Sequence, residues 1–275
     1  MAVLFIIALI FIQNSLGNTI LISLTCITIV LASHRIGLKK LLAASIFFTG
    51  LITILFALNP VIPIFSIIFT FLILKIPLKT LGISLLFGLG TGIFLQFGFE
   101  NIVTDYQRDR IVSFINPQDN SLSINWNRNQ AITAIGSGEL FGEGLLQGEI
   151  VKNNLLPYAS TDFAFAAFAE QLGFTGVCVL IFIYLCLLGF LFYFKSKTTN
   201  KSEQIILIGI AGIIFFNMFQ HIAMNLGITP ITGVPLPLVS YGGSSVITYF
   251  IALGFAHSIY INSCFKERVF EKILF

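Results

Sequence analysis

The chain has 275 residues, of which 56% are hydrophobic and only 10% are Asp, Glu, Lys or Arg. A soluble domain carries roughly 25% charged residues and could not bury so large an apolar surface. This composition excludes a soluble globular protein and predicts an integral membrane protein. The net charge of +3 comes from short basic clusters between apolar runs, which favours cytoplasmic loops over a nucleic-acid-binding surface.

Hydrophobic segments follow one another along the chain, and most are near the roughly 20 residues that a membrane-spanning helix needs. They are 2–12, 16–33, 41–58, 61–76, 78–99, 174–194, 205–224 and 238–261. The first is too short to span alone, so we expect an all-α polytopic membrane protein with about seven or eight transmembrane helices. We expect these helices to form a single domain over residues 1–275, interrupted by a large polar loop at residues 100–162.

Basic residues orient the predicted bundle. All Lys and Arg lie in four clusters on one face, except for Arg108, Arg110, Arg128 and Lys152 in the long loop. By the positive-inside rule, the face with the clusters is cytoplasmic. The sequence therefore predicts a multi-pass protein with a cytoplasmic C-terminus and an extracytoplasmic loop.

Asp162 stands where this loop turns into an apolar helix. Thr161 or Asp162 could be the N-cap of that helix, which is the usual role of such residues and the interpretation that the residues alone favour. A carboxylate at the outer membrane boundary is also poorly hydrated, which makes it a stronger proton acceptor. A general base is compatible with a capping position, so both roles stay open.

The segment 225–245 contains three prolines and four glycines between two spanning segments, so it cannot be regular helix. Irregular backbone at membrane depth is tolerated where it lines a cavity, and we expect this segment to line a pocket. The glycine-rich stretch 136–144 lacks the Lys and Ser/Thr of a phosphate-binding P-loop. It is typical of turns that need unusual φ values.

Several motifs resemble those of the SEDS family, the shape, elongation, division and sporulation proteins, and they occur in the family's order. They are residues 106–111, 114–117, 130–138, 140–142, 161–163 and 240–245. The loop motifs are nearer to the RodA branch of the family than to the FtsW branch. Family members have more crossings, so we expect the N-terminus of this chain to be short.

The resemblance implies a peptidoglycan glycosyltransferase of the bacterial cytoplasmic membrane, with a role in cell shape, elongation or division. Such enzymes polymerise lipid II into glycan strands at the outer face of the membrane and release undecaprenyl pyrophosphate. Asp162 matches the family's essential carboxylate and would take a proton from the attacking sugar hydroxyl. The resemblance also implies substrate contacts at Gln130, Thr161, Ser240 and Tyr241.

A pyrophosphate leaving group needs positive charge. The basic residues on the loop side are the candidates for it, although two of them could equally anchor at lipid headgroups. These candidates are Arg108, Arg110, Arg128 and Lys152. No His or Cys spacing marks a metal site, so no cofactor is encoded, and a divalent cation at the pyrophosphate is left open.

The expected partners are lipid II, membrane lipids and, by resemblance, a class B penicillin-binding protein; no nucleic acid is expected. Two alternatives from other classes remain. A flippase for lipid-linked precursors would also use the proline-rich pocket. An inactive scaffold for a penicillin-binding protein is suggested by the short N-terminus and by Ser15, which stands where the family has an acidic residue.

Overall fold

The computed structural model describes residues 16–32, 110, 113–114 and 123–274. The chain divides into two units, residues 33–111 and residues 1–32 together with 112–275. All regular structure described in the second unit is helical: α1 (Leu16–Ala32), α2 (Ser123–Ser137), α3 (Glu149–Lys152), α4 (Ala164–Lys197), α5 (Lys201–Asn225) and α6 (Gly243–Leu274). The all-α class is confirmed for these residues, whereas the number of spanning helices and the single domain stay predictions.

Three of the described helices are long and apolar enough to cross a membrane: Ala164–Lys197, Lys201–Asn225 and Gly243–Phe265. They contain the predicted segments 174–194 and 205–224 and most of 238–261, and α1 coincides with the predicted segment 16–33. The predicted spanning segment 238–261 and the predicted irregular segment 225–245 overlap, and the structure divides them at Gly243, where α6 begins. The prediction of a spanning helix was wrong for residues 238–242, and that of irregular backbone was wrong for residues 243–245. The remaining predicted segments lie outside the described residues.

Apolar side chains form both the core and the outer surface of this unit. Leu191, Leu207 and Ile214 are at most 2% exposed and belong to a cluster that joins α4, α5 and α6. On the outer face of α4, Phe182 is 65% exposed and Phe190 is 60% exposed. Such a surface is unfavourable in water but carries no penalty in lipid, where the surrounding solvent is equally apolar. The helices therefore form a bundle suited to hydrocarbon surroundings.

Gly173 divides α4 into two helical halves. Its φ of 64° and ψ of −166° are not helical, and this conformation is essentially restricted to glycine. The carbonyl of Gly138 also approaches closely, since a Cβ placed on Gly173 would lie 2.7 Å from that oxygen. Residues 164–172 therefore form a short helix that leads into a separate, longer helix from Phe174 to Lys197.

The loop between α2 and α3 supplies the hydrogen bonds that this break removes from α4. Glu143 N donates to Glu170 O (3.0 Å), and Thr175 N donates to Leu140 O (3.0 Å). The predicted unusual φ values of this glycine-rich loop are confirmed, since φ is 79° at Gly142. Backbone groups at a broken helix need partners when water is absent, so the loop and the break stabilise each other.

Replacing Gly173 with Ala should lower the free energy of unfolding by about 2–4 kcal/mol, because a strained φ and a steric clash are combined. The matched control is Gly189→Ala in the same helix, where an added Cβ meets nothing within 4 Å. The control should be neutral or stabilising by up to about 1 kcal/mol. Unfolding in detergent measures both variants, and equal stabilities would contradict the assigned role of Gly173.

Candidate functional site

The turn that carries Asp162 leads directly into α4. The helix begins at Ala164 and Phe163 occupies its N-cap position, so the prediction that Thr161 or Asp162 is the N-cap was wrong. The turn is closed instead by Tyr158, whose carbonyl accepts hydrogen bonds from Thr161 N (3.0 Å) and Phe163 N (3.2 Å). Asp162 itself is half-buried.

Two side chains of α5 do what an N-cap residue normally does. Phe165 N donates to His221 Nε2 (3.3 Å) and Ala166 N donates to Asn225 Oδ1 (3.3 Å). These are the amide groups of the first helical turn that a capping side chain usually satisfies. Because the partners lie on another helix, the start of α4 is fixed to α5, and no local cap is needed.

The side chains of His221 and Asn225 each also contact a backbone carbonyl outside α4 and α5. Asn225 Nδ2 donates to Asp162 O (3.2 Å), and His221 Nδ1 lies 2.7 Å from Val234 O in the proline-rich segment. Since Nε2 accepts a hydrogen bond from Phe165, the proton of the neutral ring is on Nδ1, where it is donated to Val234. Both His221 and Asn225 are completely buried.

The motif at residues 240–245 holds the turn from the other side. Ser240 Oγ donates to Thr161 O (2.7 Å) and accepts from Leu236 N (2.8 Å), while Tyr241 N donates to Ser160 O (2.8 Å). The structure therefore brings together four predicted site residues, namely Thr161, Asp162, Ser240 and Tyr241. We call this set of hydrogen bonds from α5 and residues 240–241 the backbone clamp.

Two cavities adjoin the backbone clamp. The first, of about 470 Å³, confirms that the proline-rich segment lines a pocket; its lining residues are Asn18, Leu21, Ile22, Thr25, Ile213, Asn217, Val234, Pro235, Ser244, Ser245, Thr248 and Tyr249. The second, of about 450 Å³, is lined by Val151, Asn154, Leu156, Pro157, Tyr158, Ala159, Ser160, Ala167 and Gln171. The hydrogen bond between Tyr241 and Ser160 joins a segment beside the first cavity to the wall of the second.

Arg128, one of the predicted basic residues, is held by a hydrogen bond and by an aromatic ring. Its Nη2 donates to Gly227 O (2.9 Å), and its guanidinium carbon lies 6.0 Å from the centre of the Phe114 ring. Its Nε and Nη1 are buried and have no hydrogen-bond partner in the described part of the chain. Gly227 allows this approach, since a Cβ there would lie 2.7 Å from Nε. Buried N–H groups without partners fit an anionic ligand.

Of the other predicted contacts in the same unit, Lys152 and Gln130 take no part in the backbone clamp. Lys152 is exposed at the end of α3, and Gln130 is half-buried on α2. Arg110 is half-buried and belongs to the other unit, while Arg108 and Ser15 lie outside the described residues. Within the ranges that the structure describes, no group of three or more His, Cys, Asp or Glu could hold a metal ion.

Glu170 was missed by the sequence reasoning. Its completely buried carboxylate accepts hydrogen bonds from Ile150 N (2.6 Å) and Val151 N (3.2 Å) and so holds α3 against α4. The available signal was its position in an alanine-rich apolar run, because a buried charge is costly unless it is hydrogen-bonded. His221 and Asn225 gave the same signal, because each is a polar residue in or next to an apolar spanning segment and needs a hydrogen-bond partner there.

Comparison with known proteins agrees with this architecture. The family model for cell cycle proteins, covering FtsW, RodA and SpoVE, matches residues 60–263. A chain of a solved peptidoglycan synthase complex, described as coordinating polymerization and crosslinking, has a TM-score of 0.51. The match covers 95% of this chain and 97% of that chain at 18% identity, which shows a shared fold.

Curated relatives match over part of their length. The peptidoglycan glycosyltransferase MrdB of Escherichia coli (strain K12) is 36% identical over 161 residues, which is 58% of this chain and 44% of the relative. MrdB of Helicobacter pylori (strain ATCC 700392 / 26695) is 37% identical over 188 residues, covering 65% and 48%. The peptidoglycan glycosyltransferase RodA of Treponema pallidum (strain Nichols) is 37% identical over 158 residues, covering 58% and 36%. The chain thus matches about half the length of these relatives, or less.

The apolar helices and the family match define a protein of the inner membrane whose described part is all helical. More specifically, the chain belongs to the FtsW/RodA/SpoVE family of cell cycle proteins. The resemblance to SEDS proteins that the motifs indicated is therefore confirmed, and relatives named RodA and MrdB agree with its RodA-like character.

Replacing His221 with Phe should lower the free energy of unfolding by about 2–5 kcal/mol, because Phe165 N and Val234 O both lose their partner in a buried position. The matched control is His257→Phe at an exposed position of α6, with an expected change within about 0.5 kcal/mol. Denaturant unfolding in detergent measures both. Similar losses in the two variants would show that His221 does not hold the start of α4.

Proposed function

We propose that this chain is a peptidoglycan glycosyltransferase that polymerises lipid II at the outer face of the cytoplasmic membrane, with Asp162 as general base. The observation that carries the proposal is the backbone clamp. It fixes the carbonyls of Ser160, Thr161 and Asp162 through three separate donors, so the carboxyl group projects from an immobilised backbone. The relatives named peptidoglycan glycosyltransferase support the same activity.

The chemistry requires a base that is held at a fixed position. A sugar hydroxyl becomes an effective nucleophile as its proton passes to the Asp162 carboxylate, and its oxygen then forms the glycosidic bond at the anomeric carbon. The bond from that carbon to the pyrophosphate oxygen breaks, and undecaprenyl pyrophosphate leaves with the electron pair. Misplacing the base by about 1 Å can cost on the order of 10²-fold in rate, so a rigid backbone serves catalysis directly.

Arg128 is the residue that we assign to the pyrophosphate. Asn225, which binds the carbonyl of Asp162, and Gly227, which binds Arg128, are separated by a single residue. The hydrogen bond to Gly227 orients the guanidinium while Nε and Nη1 keep their donors for a phosphate oxygen. Positive charge placed where negative charge develops is a large catalytic term. The remaining candidates for phosphate, headgroup or sugar contacts are Arg108, Arg110, Lys152 and Gln130.

The topology that suits this activity is a multi-pass bundle with about seven or eight spanning helices. By the positive-inside rule, Lys195 and Lys197 at the end of α4 and Lys201 at the start of α5 support a cytoplasmic position for that turn. Residues 100–162 then lie outside the cytoplasm, and the C-terminus lies inside.

The partner that fits this role is a class B penicillin-binding protein, which would cross-link the new strand. The similar fold found in a peptidoglycan synthase complex supports such an assembly. A divalent cation at the pyrophosphate is compatible with the chemistry and would be bound mainly by the substrate, as Mg²⁺ commonly is at phosphates.

A flippase for the same lipid-linked precursor is the second candidate, because the cavity of about 470 Å³ lies between helices and is lined in part by Val234 and Pro235 of the irregular segment. An inactive scaffold is the third candidate, and turnover by the purified protein would exclude it. A flippase moves lipid II across vesicles without elongating it, whereas a polymerase elongates it.

Replacing Asp162 with Asn should reduce lipid II polymerisation at least about 10²-fold in reconstituted vesicles, because the general base is lost while the side-chain size is kept. The matched control is Glu149→Gln, which changes an exposed carboxylate of α3 and should keep nearly full activity. Gel analysis of labelled glycan strands measures the products. Equal polymerisation by wild type and D162N would overturn the role of Asp162. Transport of lipid II without elongation by the wild type would favour the flippase.

Replacing Arg128 with Gln should raise KM for lipid II, or lower kcat/KM, by about 10–100-fold, since a charge-assisted hydrogen bond contributes about 1.5–3 kcal/mol. Lys152→Gln tests the competing candidate on the loop side; because the Lys152 side chain is exposed, we expect a change below about threefold. Steady-state kinetics at several lipid II concentrations separates the two parameters. A larger effect at Lys152 than at Arg128 would reverse the assignment.

A further inference from the structure

Four large apolar side chains are exposed in the loop between α2 and α3. Leu140 is 60% exposed, Phe141 79%, Leu145 69% and Leu146 83%. We call these residues the apolar tip. Isolated apolar side chains are common on protein surfaces, but four large ones exposed within the seven residues 140–146 of one loop indicate an interaction surface. Apolar residues on a spanning helix are exposed because they face lipid. The apolar tip lies in a loop, so its exposure needs another explanation.

Hydrogen bonds fix the position of the apolar tip along α4. Phe174 N donates to Glu139 O (2.9 Å), and Leu146 N donates to the side-chain Oε1 of Gln171 (3.1 Å). Together with the hydrogen bond from Thr175 N to the carbonyl of Leu140, these contacts place the tip beside the break at Gly173.

Phe174 is also where α4 begins to face lipid. The residues before the break, from Ala164 to Glu170, are almost all buried, whereas Phe174 is 61% exposed and Val179 is 58% exposed. From Phe174 to Lys197 a helix rises about 36 Å, which exceeds the roughly 30 Å of a hydrocarbon core. If Lys195 and Lys197 lie at the cytoplasmic interface, Phe174 and the apolar tip beside it reach the level of the opposite interfacial layer.

The conformation of Leu146 points to a surface that is held in place. Its φ of 61° is unfavourable for a leucine, and yet its side chain is exposed to the surroundings. The hydrogen bond to Gln171 holds the backbone in this conformation. A strained backbone that presents an apolar side chain outward is consistent with a functional contact.

We propose that the apolar tip inserts into the interfacial layer of the lipid bilayer and continues the lipid-facing surface of α4. Residues 129–151 contain no Lys or Arg, while Glu139 beside the tip is exposed. Attraction to anionic headgroups therefore does not drive the contact, and burial of apolar surface among acyl chains does. Insertion fixes the loop that closes the break in α4, and it does not depend on the proposed glycosyltransferase activity.

Tryptophan fluorescence in the full-length protein tests this contact. Trp126 is first replaced by Phe, since it is the only tryptophan of the chain, and Phe141→Trp or Leu146→Trp is then introduced. Asn153→Trp, at the exposed end of α3, is the matched control. Each variant is reconstituted in vesicles of neutral lipids brominated near the top of the acyl chain. The emission of F141W and L146W should be quenched by these lipids and protected from aqueous acrylamide, with the opposite result for N153W.

Two outcomes would overturn the insertion of the apolar tip, and a third would remove Leu146 from it. Equal acrylamide quenching of the tip variants and N153W would place the tip in water. Protection from both quenchers would mean that protein covers the tip, as a partner or a second copy would. A third arm adds Leu146→Asn to F141W; Asn adopts a positive φ readily, so the local fold is kept. Quenching of the introduced tryptophan by brominated lipid should then weaken, and unchanged quenching would exclude a contribution from Leu146.

Discussion

Segments distant in the sequence provide hydrogen-bond partners for backbone groups that α4 itself leaves unpaired. The position of the turn that carries Asp162 depends on these hydrogen bonds. At the first turn of α4, the partners are His221 and Asn225 on α5. At the break at Gly173, they are carbonyl and amide groups of the loop after α2. An amide without a partner in apolar surroundings costs several kcal/mol. The segments therefore assemble in one arrangement, since alternatives leave such groups unsatisfied.

This constraint explains how the turn that carries Asp162 can be held without a local cap. An N-cap residue would use its own side chain to satisfy the helix, whereas Phe163 occupies that position and has no polar group to offer. The amides of the first turn are satisfied from α5 instead. Asp162, one position earlier, lies on a turn whose backbone is fixed from two sides, by Asn225 and by Ser240. Rigidity of this kind would suit the catalytic role proposed for Asp162.

The same arrangement connects the membrane-embedded part to the loop. Glu170 holds α3, and its own carbonyl accepts from Glu143, so one residue fixes two segments of the loop. Glycine makes the close approach possible, because a Cβ on Gly148 would lie 2.6 Å from the carboxyl carbon of Glu170. The proposed lipid contact of the apolar tip would fix this loop from outside, as the hydrogen bonds fix it from inside.

Composition and hydrophobic length by themselves determined the membrane class, the helical character and the approximate extent of the spanning helices. These properties depend on side-chain transfer into lipid, which is local and nearly additive along the chain. The motifs indicated the family and singled out Asp162. The true start of α4, the break at Gly173 and the start of α6 after residue 242 could not be predicted, because each is decided by a partner elsewhere. The tertiary structure alone decided which residues hold Asp162: Ser240 and Thr161 are 79 positions apart, and His221 and Phe165 are 56 apart. A polar side chain in an apolar helix needs a hydrogen-bond partner, and the sequence shows this need. The backbone group that serves as the partner is known only once the helices are packed against the proline-rich segment.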